Sequence, residues 1–148
     1  MIKDIIKRDD LHPKVLVSVR ANFEVLGKDT VKDSLSVVDW HMPVSFRPNK
    51  YAVSVSSIGS IRSMISKSGN FVINFMGLEH STSILSCENK DGLFMDLFSS
   101  AGLSKEESET VESPRIREAK AFLECEVEHE LESGDHTIFI GRVVGPRV

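Results

Sequence analysis

The sequence is poor in several residue types, and each shortage argues against a class of protein. Its 148 residues include two cysteines, Cys87 and Cys125, too few and too far apart for a disulfide framework, a redox pair or a zinc site. Basic residues number 18 against 22 acidic ones, and this net charge of −4 argues against nucleic-acid binding, which needs a basic surface. We therefore expect reduced thiols and no nucleic-acid partner.

Long apolar runs are also missing. Runs such as residues 71–75 fall far short of the roughly 20 residues that a membrane helix needs, and residues 1–8 lack the pattern of a signal peptide. The length suits one domain with its own core. We predict a single domain over residues 1–148 that is located in the cytoplasm and has no membrane partner.

The common catalytic and metal-binding signatures do not occur. There is no P-loop, no dinucleotide-binding glycine pattern, no nucleophile elbow and no zinc-protease helix. No serine is marked as an activated nucleophile. The histidines are never spaced as ligands on one helix or in one tight loop, so we expect no metal; they are His12, His41, His80, His129 and His136.

What the sequence does contain is a regular hairpin. Residues 123–132 alternate between a largely apolar set and five glutamates, which predicts a strand with one buried and one wet face. The strand breaks at residues 133–135, where glycine and aspartate can adopt the positive φ of a tight turn, and a second strand starts at His136. We expect His129 in the core or an interface, and His136 at the rim of a sheet.

Other elements follow from periodicity and from turn residues. Further strands are predicted at 15–19, 30–38, 51–56 and 71–75, and helices at 58–68, 79–87 and 93–101. Irregular segments are predicted at 39–48, which contains Pro43 and Pro48, and at 105–112, which should be a solvated loop. Six or seven short strands with few helices indicate an antiparallel barrel or sandwich.

Two segments are candidates for a binding site. The first is residues 34–45, rich in small and polar side chains around Trp40, which fits core packing as well as ligand contact. The second is residues 54–63, where serines and Arg62 surround a strand-to-helix junction. Amides at a helix N-terminus and neighbouring hydroxyls suit a phosphate group. A simple N-cap and turn explains the same serines equally well.

Four ordered regions of the sequence carry a family resemblance. The first region consists of WHMPVSFRP at 40–48, YAVSVS at 51–56 and ISKSGNFVIN at 65–74. The second is residues 91–103, the third is FLEC at 122–125 and the fourth is GDHTIFIG at 134–141. Together they resemble the flavin reductase-like, FMN-binding split-barrel family, which includes flavoredoxins, from about Pro13 to Val144. The resemblance implies a mainly β fold, a split antiparallel barrel of Greek-key type with a few short helices.

The same resemblance implies a function. Members hold FMN without a covalent bond, usually at a homodimer interface, and act as NAD(P)H-dependent flavin reductases or pass electrons between proteins. The hydride would pass from NAD(P)H to FMN, and the electrons would go on to free flavin or a protein acceptor. Two alternatives remain open: an electron carrier without NAD(P)H turnover, and a degenerate module that keeps the fold with an empty site.

By position, the resemblance also assigns residues to parts of the cofactor. Those expected along the isoalloxazine ring, largely through backbone groups, are Ser36, Val37, Val38 and Asp39, with Trp40 beside them. Those expected near the phosphate are Ser54, Ser56, Ser57 and Ser60. Asn74 would end a strand beside the cofactor. His136 is the catalytic candidate at the ring or the incoming nicotinamide, and its alternative is a local hydrogen bond in the hairpin.

Two positions depart from the pattern of many members. Asp39 places a carboxylate beside the ring, which should oppose the negative charge of reduced flavin and either lower its reduction potential or favour the protonated form of Asp39. The stretch Gly59-Ser60-Ile61 lacks the basic residue and threonine that are common there, so we expect a weaker hold on the phosphate.

Overall fold

The computed structural model describes residues 13–93 and 95–146, and nearly half of them belong to one antiparallel sheet. Its seven strands are β1 (Val15–Val25), β2 (Lys28–Val38), β3 (Trp40–Phe46), β4 (Asn49–Ser56), β5 (Asn70–Phe75), β8 (Ala121–Ser133) and β9 (His136–Gly145). Their spatial order is β2-β1-β5-β8-β9-β4-β3. Two short strands, β6 (Lys105–Glu106) and β7 (Arg115–Ile116), form a separate pair.

Three short helices connect the strands. They are α1 (Ser60–Ser68), α2 (Ser81–Cys87), which follows a 3-10 turn at Leu78–His80, and α3 (Leu97–Ala101). As predicted, α1 ends at Gly69, which adopts the left-handed conformation with φ 74°. Helix α3 begins later than the predicted residue 93 because Asp96 caps it, accepting a hydrogen bond from the Ser99 amide.

Strand β1 is buried on both faces and separates two apolar clusters. One face joins an inner cluster with Met64 and Ile65 of α1; its members from β1 include Val15, Val17 and Val19. The other face places Leu16 against Leu97 and Phe98 of α3. Burial on both faces explains why residues 15–19 read as an almost continuous apolar run.

The sheet curls around the inner cluster. Val38 of β2, the first strand in the order, and Val53 of β4, the sixth of the seven, both belong to that cluster. Side chains from distant strands can share one core only if the sheet bends towards closure. The prediction of a mainly β, barrel-type antiparallel fold with few short helices is therefore confirmed, whereas a single domain over residues 1–148 stays a prediction.

The predicted irregular segment at residues 39–48 is wrong, because most of it forms β3. This strand pairs with β4 from Trp40 opposite Ser54 to Phe46 opposite Asn49, with a shift in register between Pro43 and Ser45. The strand lies at the end of the sheet, where a proline without an amide hydrogen can be accommodated next to a bulge.

The predicted hairpin is confirmed in outline but not in its burial. Strand β8 ends at Ser133, β9 begins at His136, and Gly134 in the two-residue turn has φ 61°. The wet glutamate face is wrong at Glu124, which is completely buried. The buried face is wrong at His129, whose side chain is 60% exposed, because β8 there extends beyond its pairing with β5.

A loop that was predicted to be solvated covers Glu124. The Glu124 carboxylate accepts hydrogen bonds from the amide and hydroxyl of Thr110, each at 2.7 Å, and lies 3.5 Å from Nη1 of Arg115. These partners compensate for the loss of water around a buried charge. Residues 109–110 therefore pack on β8, whereas other residues of the segment, such as Glu107 and Glu112, are exposed as predicted.

Candidate functional site

A cavity of about 450 Å³ lies where the ends of β2 and β4 meet the start of α1. Its volume is within the range of about 300–1,000 Å³ that is typical of small-molecule sites. The lining residues come from three sources. They are residues 34–40, then Ser54, Val55, Ser56, Gly59, Ser60 and Ile61 with His136, and finally Cys87 and residues 89–92.

The end of β2 contributes backbone and an incompletely bonded carboxylate. Strand β2 is the first in the sheet, so one side of its backbone forms no sheet hydrogen bonds. Asp39 follows it, and the Oδ1 atom of Asp39 is buried with no hydrogen-bond partner in the described chain. A buried acceptor of this kind is costly unless a donor reaches it. This part of the cavity can therefore accept a hydrogen bond from a ligand.

An aromatic pair borders the cavity beside Asp39. The rings of Trp40 and His136 lie with centroids 4.3 Å apart and planes inclined by 31°. Sheet pairing brings them together, because Trp40 lies opposite Ser54, and Ser56 lies opposite His136. His136 Nδ1 is 2.7 Å from Asp135 Oδ1, so Nδ1–H donates to the carboxylate and Nε2 is the ring's second polar atom.

The start of α1 lacks a cap of its own. Gly59 precedes the helix without a side-chain hydrogen bond, and no acidic residue lies in the first turn. The cap comes from elsewhere in the chain: Ser60 donates through its amide to Asp91 Oδ2, at 3.2 Å, and through its hydroxyl to Asp91 Oδ1. Asp91 thus occupies the positive end of the helix.

The carboxyl of Asp91 is stabilised in its ionised form. Burial raises its pKa, but hydrogen bonds from the Ser60 hydroxyl and from the Leu93 and Ser60 amides outweigh this and hold the pKa below its usual range. At neutral pH, the cavity therefore carries a fixed negative charge at the helix end.

The segment of residues 87–92 closes the remaining side. Asn89 has φ 57°, and a Cβ added to Gly92 would collide with Ser34 Oγ, so the segment lies tightly against β2. An ion pair between Lys14 and Glu88 ties it to the chain just before β1. Burial raises the pKa of the Cys87 thiol, against smaller effects of Ser86 and Lys90, so this thiol is protonated at neutral pH.

Comparison with known proteins shows the family to which this chain belongs. Residues 13–148 match the flavin reductase like domain. The chain belongs to the flavin reductase-like family. This confirms the resemblance derived from the sequence and connects the chain with flavin chemistry.

Relatives of this flavin reductase-like chain differ in how much they share with it. An uncharacterized protein of Archaeoglobus fulgidus is 31% identical over 113 residues, which are 76% of this chain and 64% of that protein. The chain thus spans less than two thirds of that relative's length. A putative diflavin flavoprotein of Nostoc sp. is 25% identical over 84% of this chain, but the match covers 21% of that protein.

Solved structures of low identity share the fold. The flavoredoxin of Desulfovibrio vulgaris has a TM-score of 0.78 at 23% identity, over 93% of this chain and 69% of that one. An FMN-binding protein from Thermus thermophilus gives 0.75 at 22% identity, over 89% and 67%. A putative flavin reductase with a split barrel domain from Shewanella frigidimarina gives 0.79 at 13%, over 90% and 65%. The split-barrel prediction is confirmed.

The flavin reductase-like fold brings most of the predicted site residues into one cavity. Those that line it are Ser36, Val37, Val38, Asp39, Trp40, Ser54, Ser56, Ser60 and His136. Ser57 lies outside its lining; its hydroxyl is 2.9 Å from that of Thr137, and its amide donates to the Asp135 carbonyl. Ser57 therefore helps to join the β4–α1 junction to the β8–β9 turn.

Asn74 also lies away from the cavity. It is completely buried, its side-chain amide donates to the Leu16 carbonyl and Ser18 Oγ, and its Oδ1 accepts from the Ile116 amide, all at 2.9 Å. Asn74 thus connects β5 with β1 and β7. Its place beside the cofactor stays a prediction, while its hydrogen bonds show that it joins these strands.

Sequence reasoning assigned no site residue to the segment of residues 87–92. The Asp91-Gly92 pair is a turn signal, which marks the segment as a loop between two predicted helices but does not show what it contacts. Its contacts with Ser60 and Ser34 join positions 31 or more residues apart, and no local pattern encodes such pairs.

Metal binding finds no support in the described residues. Within 13–93 and 95–146, no three His, Cys, Asp or Glu side chains are grouped to hold an ion. His12, one of the five histidines considered, lies outside this part of the chain. In the same described ranges, no helix is long and apolar enough to span a bilayer.

Proposed function

We propose that this protein binds FMN non-covalently in the cavity and acts as an NAD(P)H-dependent flavin reductase. The observation that carries the proposal is the convergence of three features on one cavity in a flavin reductase-like fold. These are the outer backbone side of β2, the Trp40–His136 pair, and the serines beside the start of α1.

The residues present fit an FMN molecule. The buried Oδ1 atom of Asp39 needs a donor, and the flavin ring carries an N–H group in its pyrimidine part. Trp40 and His136 offer aromatic surface to a planar ring. The hydroxyls of Ser54 and Ser56 provide polar groups for the ribityl chain and the phosphate, while the Ser60 hydroxyl beside them already donates to Asp91. Bound flavin would accept a hydride from NAD(P)H and supply electrons to free flavin or a protein acceptor.

The protein's own contribution is to bind and orient. The free backbone side of residues 36–38 would hold the ring edge, and the Asp135–His136 hydrogen bond holds the imidazole against Trp40. Asp39 adds negative charge, which disfavours a negatively charged reduced ring and lowers its potential. No residue needs to remove a proton from carbon, because hydride transfer depends on orientation and electrostatics.

An FMN titration tests binding, and anaerobic mixing tests the reaction. We expect FMN fluorescence to change on addition of the protein, and NADH or NADPH to bleach the visible absorbance of the complex. Bleaching by neither donor would leave the electron-carrier alternative. A protein that leaves FMN fluorescence unchanged would be the degenerate module, and the flavin proposal would be wrong.

We include a homodimer in the proposal, on the basis of β3. This end strand exposes apolar side chains, with Phe46 83% and Met42 59% accessible. Exposed apolar strands at a sheet edge are normally covered. Light scattering after size exclusion should give twice the mass of the chain, and Phe46→Glu should shift it towards the monomer. A monomeric wild-type protein would contradict this part.

A cytoplasmic location also remains part of the proposal. Cys87 and Cys125 are both free and buried, which suits a reducing compartment. Cell fractionation with an antibody against the protein tests it, and recovery outside the cytoplasmic fraction would contradict it.

A further inference from the structure

The charges around the cavity are unequally arranged. Among its lining residues, the carboxylates are Asp39 and Asp91, and the lysine is Lys90. Lys90 is exposed and has no ion pair with any described residue. Asp91, in contrast, accepts three hydrogen bonds from Ser60 and Leu93. The adjacent residues Asp91 and Lys90 thus carry a hydrogen-bonded negative charge and a positive charge that forms no ion pair with the described residues.

Asp91 occupies the position at the start of α1 where the phosphate of a ligand would otherwise accept hydrogen bonds from the helix amides. Helix α1 has neither a capping side chain at Gly59 nor an acid in its first turn, and Asp91 compensates for both. A second anion near Ser60 would be repelled by this carboxylate, and the repulsion weakens with distance and salt. The charge of Lys90 acts in the opposite sense on the same anion.

We propose that Asp91 and Lys90 determine how the cavity discriminates between flavins with and without a terminal phosphate. Asp91 disfavours the phosphate of FMN, and Lys90 favours it, while riboflavin, which shares the ring and the ribityl chain, responds to neither. This inference rests on the proposed flavin site and names the two residues that set its choice of flavin.

The substitution Asp91→Asn removes the charge at nearly constant shape. In the place of Oδ1, the carbonyl oxygen of asparagine can still accept from the Leu93 amide and the Ser60 hydroxyl, whereas its amide group in the place of Oδ2 cannot accept from the Ser60 amide. Lys90→Gln removes the positive charge from the adjacent residue. A matched control for each lies away from the cavity lining: Asp96→Asn at the cap of α3 and Lys28→Gln at the start of β2.

The experiment measures the dissociation constants of FMN and riboflavin for the wild type and all four variants, by flavin fluorescence at low salt. We expect Asp91→Asn to raise the preference for FMN over riboflavin about fivefold and Lys90→Gln to lower it about threefold, with both changes reduced at high salt. The two control variants should keep the wild-type ratio.

Each other outcome is decisive. An unchanged or reduced FMN preference in Asp91→Asn overturns the inference, even if both flavins bind, and so does an unchanged ratio in Lys90→Gln. If the wild type binds neither flavin, the proposed function itself fails, which distinguishes the two failures. A circular dichroism melt of each variant shows that the ratios refer to folded protein.

Discussion

The two sides of the cavity are built differently. One side consists of strand ends, with Trp40 and His136 placed by the pairing of β3, β4 and β9, and Asp39 between β2 and β3. The other is the segment of residues 87–92, placed by individual contacts such as Asp91 with Ser60 and Gly92 against Ser34. Sheet register fixes the first side through many cooperative hydrogen bonds, while a few side chains decide where the second side lies.

The largest expected effect comes from the strand framework. Asn74→Ala should lower the free energy of unfolding by about 3 kcal/mol, because it leaves the buried Ile116 amide and Leu16 carbonyl without their partner. Urea denaturation measures this change. The exposed Asn22→Ala on β1 is the control and should be nearly neutral. A loss below about 1 kcal/mol for Asn74→Ala would mean that the sheet does not depend on this side chain.

A smaller loss is expected in the segment of residues 87–92. Gly92→Ala should cost about 1–2 kcal/mol, since the new methyl group collides with Ser34 Oγ and pushes the segment off β2. The double variant Ser34→Ala with Gly92→Ala removes that oxygen and should recover most of the loss. Thermal melts of the three variants test this, and an absence of recovery would locate the strain elsewhere.

The third prediction concerns FMN binding by His136 on the strand side of the cavity. His136→Ala should weaken FMN binding about three- to tenfold through loss of the aromatic surface, with little change in stability because the side chain is partly exposed. His129→Ala is the matched control, since that ring is exposed on the outer part of β8. Equal FMN affinities for the two variants would remove His136 from the site.

The smallest effect is a pH dependence. The pKa of Asp91 is lowered in the folded protein, so its stabilising contacts are present above the unfolded pKa of about 3.9 and disappear as pH falls through the folded pKa. The stability difference between wild type and Asp91→Asn should therefore be constant at neutral pH and shrink below about pH 4. Melting curves from pH 3 to 7 measure it. A difference that grows in acid would contradict the capping role.

Local sequence patterns predicted the elements that form the strand side. Alternation placed β4 and the β8–β9 hairpin, a short apolar run placed β5, and Gly69 ended α1 as expected. Nine of the eleven site residues that the family resemblance implied line one cavity, and their roles stay predictions. Prolines misled the interpretation of residues 40–46, because a proline is tolerated in an end strand and nothing local shows which strand lies at the end.

The sequence by itself determined where the strands and turns of the main sheet other than β3 lie, since side-chain alternation and glycine conformations act over a few residues. Only the tertiary structure decided that Glu124 is buried, that Asn74 joins three strands, and that Asp91 caps a helix 31 residues earlier in the chain. The physical reason is that burial and charge depend on what packs against a residue. For Asp91 this means that a turn residue, unremarkable in the sequence, places a negative charge beside the candidate phosphate site.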